Sequence, residues 1–151
     1  MKNIQLYKCV LERAGLLRLE EGVPTLATHA EAAKTILTAL LADSPSEKVY
    51  VLMLNARKAV VGAELISMGG QTQTSVAVRE VFRAAIIQNA NAIILGHNHP
   101  SGDSTPSSED IHMTHAIVKA SKLLGIELLD HLIITPSGSW SSVFDHCLFE
   151  R

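Results

Sequence analysis

Two histidines and an aspartate carry the clearest chemical signal in this sequence of 151 residues. His97 and His99 follow an apolar segment, and in an extended chain residues i and i+2 face the same side. Asp110 comes eleven residues after His99, where a helix is predicted to begin. Two imidazoles and a carboxylate can hold one Zn²⁺ and leave a fourth position for water. The spacing therefore indicates metal-assisted hydrolysis.

The segment around Asp110 also has a purely structural interpretation. Ser107 and Asp110 have the spacing of a capping box, in which two side chains satisfy free backbone N–H groups at a helix start. A carboxylate in the first turn should stay ionised beside the positive end of the helix dipole. A histidine pair at this spacing is weak on its own, but the combination of both patterns favours the metal site.

The remaining sequence predicts the elements that position these residues. Helices are expected at 30–41, 78–89 and 107–124, and strands at 49–54, 59–66, 92–96, 128–135 and about 140–144. Alternating strands and helices with a hairpin turn at 55–58 predict an α/β fold, a mixed β-sheet with flanking helices. The inward-facing helical residues are expected to be Val81, Phe82, Ala85 and Ile86, then Ile111, Ile117, Val118 and Leu124.

Composition excludes several classes of protein. With 47% hydrophobic and 19% charged residues, the chain should fold as one domain over 29–151, with 1–28 as an arm or short helix. A net charge of −2 argues against direct nucleic-acid binding. No apolar run approaches the roughly 20 residues of a membrane span. Cys9 and Cys147 form no disulfide framework, and no leader pattern is visible, so a reduced, cytoplasmic protein is expected.

The metal-site pattern also resembles a known signature. His97-x-His99, seven residues and Ser107-x-x-Asp110 match the JAMM motif of the JAB/MPN+ zinc metalloprotease superfamily. The segments EKVYVLMLN, AVREVFRAAIIQNANAIIL, HNHPSGD, PSSEDI and LLGIELLDHLII resemble its bacterial RadC branch, in the same order. The resemblance covers about residues 28–145. It implies the JAB/MPN, cytidine-deaminase-like architecture, in a short form without the helix-hairpin-helix module of longer RadC proteins.

The resemblance implies a zinc-dependent hydrolase, a metallopeptidase or isopeptidase that acts on a peptide or isopeptide substrate through a zinc-activated water. His97, His99 and Asp110 would be the zinc ligands. Ser107 would help to position or stabilise the developing oxyanion.

The superfamily also uses a glutamate from an earlier strand as general base. Glu47, at the start of the first core strand, is the candidate for that role. Glu80, on the helix before the metal strand, is its rival, and Glu64 is the third choice. Sequence leaves the choice open, because the base must lie within hydrogen-bond reach of the bound water.

Other interpretations stay open at the level of sequence. A zinc-containing JAB scaffold without turnover, a DNA-repair-associated binding module and a metal-dependent nuclease are the alternatives, and the oligomeric state is undetermined. Asn98 is expected to brace the loop by side-chain-to-backbone bonds. At most one of Asp130 and His131 would face the site, because neighbouring strand residues point opposite ways, and that residue would be either a partner of a ligating histidine or a satisfied buried polar residue. His112 and His115 are expected to face solvent.

Overall fold

The computed structural model describes residues 30–68 and 78–149, and within the first 29 residues only positions 5, 8, 10 and 12–18. The predicted arm at 1–28 therefore lies largely outside the described residues. The elements that the structure describes are α1 (Ala30–Leu41), β1 (Lys48–Leu54), β2 (Val60–Met68), α2 (Val78–Ile87), β3 (Ala92–Asn98), α3 (Ser108–Leu124), β4 (Glu127–Ile134), β5 (Trp140–Ser142) and a 3₁₀ turn at Val143–Asp145.

The five described strands form one mixed sheet in the order β2-β1-β3-β4-β5. β1 runs antiparallel to β2 and β3, β3 runs parallel to β4, and β5 is antiparallel to β4. A parallel pair needs a crossover connection, and α3 supplies it between β3 and β4. The expected α/β fold with a mixed sheet and flanking helices is confirmed.

Alternation along the central strand divides the core between the two faces of the sheet. Ile93 and Leu95 of β3 pack in one cluster with buried residues of α2 and α3. Ala92 and Ile94 pack in a second cluster with α1. Because side chains alternate along a strand, His97 continues the face toward α3, and Asn98 continues the face toward α1. All seven residues of β3 are buried, so this strand is a rigid base for a site.

Two helices present partly different faces from those expected. Ile86 is 54% exposed and Leu124 is 46% exposed, whereas Ile111 is half-buried. In α2 the buried residues are Val81, Phe82, Ala84 and Ala85, so the buried stripe includes Ala84 and Ile86 lies at its border. In α3 the buried residues recur at i, i+3, i+4 and i+7, and two of them are small polar residues: Thr114, Ile117, Val118 and Ser121. Gly125 ends α3 in the left-handed conformation, which a glycine adopts without steric cost.

Close packing of α1 on β3 requires a glycine directly before the first metal-site histidine. A Cβ at Gly96 would lie 2.5 Å from both methyl carbons of Leu37 and 2.9 Å from its Cγ. Leu37 is fully buried, so it has little room to move.

None of the helices in the described segments is long and apolar enough to cross a membrane.

Gly96→Ala is expected to lower the free energy of unfolding by about 1–3 kcal/mol, the usual cost of overpacking a core. Urea denaturation at constant metal load measures this loss. Gly62→Ala is the matched control on β2, because a Cβ there meets only the flexible end of Met53, at 2.9 Å. An equal loss in both variants would contradict the proposed role of the α1 contact.

Candidate metal site

His97, His99 and Asp110 converge at the carboxyl end of β3. The Nε2 atoms of the two histidines lie 2.9 Å apart. Asp110 Oδ1 lies 3.1 Å from Nε2 of His97, and Oδ2 lies 3.4 Å from Nε2 of His99. These three residues offer ligand atoms that all lie within 4.8 Å of one another. The structure thus brings together the three residues that the spacing predicts as ligands.

Asp110 is held in place by the N-terminus of α3. Its Oδ2 accepts hydrogen bonds from the backbone N–H of Ser107 at 2.8 Å and from the Ser107 hydroxyl at 2.7 Å. The backbone N–H of Asp110 donates to Ser107 Oγ in return, which completes a capping box. Since Oδ2 is engaged by Ser107, Oδ1 is the carboxylate atom best presented to a cation. Asp110 can therefore cap the helix through Oδ2 and still present Oδ1 to a metal ion, so the two interpretations of this motif are compatible.

A chain of buried hydrogen bonds determines which nitrogen of His97 carries the proton. The Thr114 hydroxyl donates its one proton to the backbone carbonyl of Asp110 at 2.6 Å. Its oxygen must then accept the N–H of His131 Nδ1, 2.7 Å away. Nε2 of neutral His131 is left to accept from Nδ1 of His97, at 2.8 Å. His97 in its neutral form thus presents an unprotonated Nε2 to the site.

A hydrogen bond within its own loop determines the tautomer of His99. Its Nδ1 lies 2.8 Å from the backbone carbonyl oxygen of Asp103, which can only accept. Neutral His99 therefore carries its proton on Nδ1 and presents a bare Nε2, as neutral His97 does. Two nitrogen lone pairs and a carboxylate oxygen then face one another at the distances given above. A cation at their centre satisfies all three acceptors at once.

The distances also fit one small divalent ion. Tetrahedral coordination with bonds of about 2.0–2.1 Å places ligand atoms about 3.3 Å apart. The Nε2 atoms of His97 and His99 are 2.9 Å apart and Asp110 Oδ1 is 3.1 Å from Nε2 of His97, both close to that value. The 3.4 Å separation from Nε2 of His99 belongs to the other carboxylate oxygen, Oδ2. The His97–His99–Asp110 cluster is therefore compatible with metal binding in both its chemistry and its geometry.

The electrostatics of the cluster favour positive charge at its centre. Burial raises the pKa of Asp110, but the hydrogen bonds that His97 and His99 donate in their protonated forms, the charge on His97 and the hydrogen bond from Ser107 together outweigh burial and hold that pKa well below its usual value. The hydrogen bond to Asp110 raises the pKa of His99, against the effect of burial. The same field that favours a proton on His99 favours a metal cation among the three side chains. Burial holds the pKa of His131 well below its usual value, which keeps its ring neutral.

The three glutamates considered for the general base occupy different surroundings. Glu47 is exposed and directly precedes β1, where Val49 pairs with His97. Continuing this antiparallel register places Glu47 opposite His99, on the same face of the sheet. Its negative charge contributes to the raised pKa of His99.

The two rivals of Glu47 lie in a separate ion-pair cluster. Glu80 Oε2 is 2.6 Å from Nη1 of Arg83, and Glu64 Oε1 is 2.8 Å from Nη2 of the same side chain. The choice of Glu47 stays a prediction, and so does an oxyanion role for Ser107. The Ser107 hydroxyl must turn away from Asp110 before it can donate to a substrate.

Other sequence expectations are met. His112 and His115 are exposed on α3. Of the pair on β4, His131 faces the cluster, whereas Asp130 accepts the hydroxyl hydrogen of Ser142 at 2.6 Å. The sequence analysis did not identify Thr114. Its signal was a threonine one helical turn after Asp110, where the hydroxyl can reach the i−4 carbonyl.

Thr114→Val is expected to weaken binding of a probe ion such as Zn²⁺ by about 10–100-fold, the usual effect of losing an outer partner of a ligand. Valine keeps the shape but leaves Nδ1 of His131 without its acceptor, so the proton positions along the chain are no longer determined. Competition with a chromophoric chelator measures the affinity, and ¹⁵N NMR of the imidazoles reports the tautomer of His97.

The matched control for this substitution is Thr35→Val on α1. The Thr35 hydroxyl makes the same type of bond to an i−4 carbonyl, at 3.1 Å from the oxygen of Glu31, at an exposed position of α1. This variant should bind the ion as the unmodified chain does. Equal losses in the two variants would contradict a specific role for Thr114.

Comparisons with known proteins identify the family of this chain. A family model described as RadC-like JAB domain matches residues 27–147. A UPF0758 protein from Symbiobacterium thermophilum is 48% identical over 92 residues, which are 61% of this chain and 39% of that protein. One from Porphyromonas gingivalis is 41% identical over 121 residues, 80% of this chain and 53% of that protein. One from Staphylococcus haemolyticus is 38% identical over 140 residues, 89% of this chain and 61% of that protein.

The chain thus spans between 39% and 61% of the length of these three relatives. Their shared description, UPF0758 protein, states no activity. The family model, in contrast, extends from before α1 to beyond β5 and includes every residue of the metal cluster. The chain therefore belongs to the RadC-like JAB domain family.

Proposed function

We propose that this chain is a zinc-dependent hydrolase that cleaves peptide or isopeptide bonds. The observation that carries the proposal is the cluster of ligand atoms from His97, His99 and Asp110, which lie within 4.8 Å of one another. Within the described residues no fourth histidine, cysteine or acidic residue joins this group. Three protein ligands with an open position are typical of catalytic zinc, whereas structural zinc has four.

The choice of zinc follows from the donor set. Two imidazole nitrogens and a carboxylate oxygen suit Zn²⁺, while Mg²⁺ and Ca²⁺ prefer oxygen ligands alone. When bound, the ion would lower the pKa of a water molecule in the open position to about 7 and polarise the substrate carbonyl. The specificity for peptide or isopeptide bonds rests on the resemblance to JAB metalloproteases.

The residues around the cluster then have distinct tasks. Glu47 accepts a proton from the attacking water and donates it to the leaving amine, so the carboxylate is regenerated after each turnover. Ser107 donates its hydroxyl hydrogen to the oxygen of the tetrahedral intermediate after turning away from Asp110 Oδ2. His131 and Thr114 keep His97 in the tautomer that binds the ion.

Charge at the site supports a peptide rather than a nucleic-acid substrate. Glu47, Asp103 and Glu109 are exposed acidic residues beside the ligands in sequence or in strand register. Carboxylates around an open metal position repel the phosphates of a nucleic acid and tolerate a neutral amide bond. The formal net charge of −2 has the same sign.

The test is metal analysis combined with a hydrolysis assay on the purified chain. About one zinc per chain is expected, as one His₂Asp site holds one ion. Turnover of fluorogenic peptides or lysine-linked isopeptides should stop with 1,10-phenanthroline and return with added Zn²⁺. Bound zinc without turnover on the whole panel would contradict the proposal and favour the scaffold. Cleavage of DNA would favour the nuclease.

A further inference from the structure

Asn98, which stands between the two histidine ligands, is directed to the opposite face of the sheet. It is 1% exposed. Its Oδ1 accepts the backbone N–H of Lys48 at 2.8 Å. Its Nδ2 donates to the backbone carbonyls of Ser44 and Ser46, at 3.2 and 3.1 Å. One buried amide thus makes three bonds to a segment about 50 residues away in sequence.

These bonds surround Glu47 on both sides. The accepting carbonyl of Ser46 precedes it directly, and the donating N–H of Lys48 follows it directly. Glu47 itself is exposed and lies before the first residue of β1, outside the regular ladder of the sheet. Its backbone is therefore positioned by the side chain of Asn98.

We propose that Asn98 is a positioning residue that holds Glu47 beside the metal ligands. The inference rests on the proposed function, in which Glu47 is the general base. Asn98 lies directly between His97 and His99 in the chain. Its bonds to the segment that contains Glu47 therefore set the distance between Glu47 and the two histidines. Its two donated bonds and one accepted bond match the hydrogen-bonding capacity of an amide, and neither a carboxylate nor a leucine of similar size can reproduce them.

Kinetics distinguish positioning from general stability. Asn98→Ala is expected to lower kcat by about 100-fold, the scale of a displacement of about 1 Å at a reacting group. KM and zinc content should stay unchanged. In a Glu47→Gln background the same substitution should lower kcat no further, because Asn98 acts through Glu47. A similar loss of kcat in both backgrounds would overturn the proposal.

Asn55→Ala is the matched control at the other end of β1. Asn55 Oδ1 accepts the backbone N–H groups of Arg57 and Ala59, at 2.9 and 3.0 Å. It also braces a backbone segment, but far from the metal ligands, so kcat should not change. If Asn98→Ala does not fold, Asn98→Ser retains one hydroxyl donor and should show a smaller loss of kcat with the same dependence on Glu47.

A second measurement is independent of turnover. In cobalt-loaded protein, the pseudocontact shift of the Glu47 side-chain carbons depends on their distance from the ion and can be assigned with Glu47→Gln. This shift should be clearly reduced in Asn98→Ala, as the inverse-cube dependence on distance requires for a displacement of about 1 Å, and retained in Asn55→Ala. An unchanged shift in Asn98→Ala would overturn the positioning role. Unmodified protein that binds zinc and shows the shift, yet hydrolyses no substrate, would instead contradict the proposed hydrolase.

Discussion

Glu47→Gln is expected to lower kcat for peptide hydrolysis by about 10²–10⁴-fold, the usual contribution of a general base. Glutamine has nearly the same shape but cannot accept the proton of the attacking water at neutral pH. Glu47 is not among the three ligands, so zinc content and zinc affinity should be retained. Stopped assays with saturating substrate, combined with metal analysis of the same samples, measure both quantities.

Glu80→Gln and Glu64→Gln are the comparison variants. Both carboxylates bind Arg83, at 2.6 and 2.8 Å, so their loss should leave kcat nearly unchanged. Their effect on stability should also be small, because such partly exposed ion pairs contribute at most about 1 kcal/mol. A large loss of kcat in one of these variants, with little effect of Glu47→Gln, would assign the base to that residue instead.

Asp110→Asn is expected to lower zinc affinity by more than about 100-fold, beyond the usual effect of an outer partner. The substitution removes the one formal negative charge among the three ligands and keeps the side-chain shape. Glu109→Gln is the control, because it removes the same charge from the same first turn of α3 at an exposed position. Normal zinc affinity in Asp110→Asn would contradict the proposed ligand set.

Stability should follow the loss of metal. Zinc at 1,000 times its Kd stabilises a folded chain by about 4 kcal/mol, which raises Tm by about 8–16 °C for a domain of this size. The unmodified chain should show that rise when zinc is added, and Asp110→Asn, at no more than about 10 times its own Kd at the same zinc concentration, should show at most about a third of it. Differential scanning fluorimetry with and without EDTA checks the expectation. Equal rises in both proteins would indicate that zinc binds elsewhere.

Local rules were sufficient to predict that His97, His99 and Asp110 lie together. The alternation of a strand places His97 and His99 on one face, and a capping motif places Asp110 in the first turn of a helix. A short loop joins the two elements, so little else is needed to bring the three side chains together. The C-terminal glycine of α3 and the hairpin between β1 and β2 were predictable for the same reason, because their signals are contained in a few neighbouring residues.

The partners of the ligands depend on tertiary structure. His131 meets His97 because β4 pairs with β3 in a register that shifts between Ile93 and Ile94. No pattern in the sequence predicts that register shift. The contact of Asn98 with Lys48 spans 50 residues and depends on the pairing of β1 with β3. Ile86 was predicted to face inward but is exposed, because helical periodicity alone did not reveal that Ala84 is part of the buried stripe of α2.

The double use of Asp110 has a kinetic consequence. The same carboxylate closes the first turn of α3 and faces the two imidazoles. An ion bound there would leave by losing its bond to Asp110 Oδ1, and the position of this carboxylate follows the first turn of α3, because Oδ2 is bonded to Ser107. We therefore expect the dissociation rate of the ion to follow the fraying rate of this helix end, so substitutions that weaken the cap should accelerate metal exchange even where they leave every ligand in place.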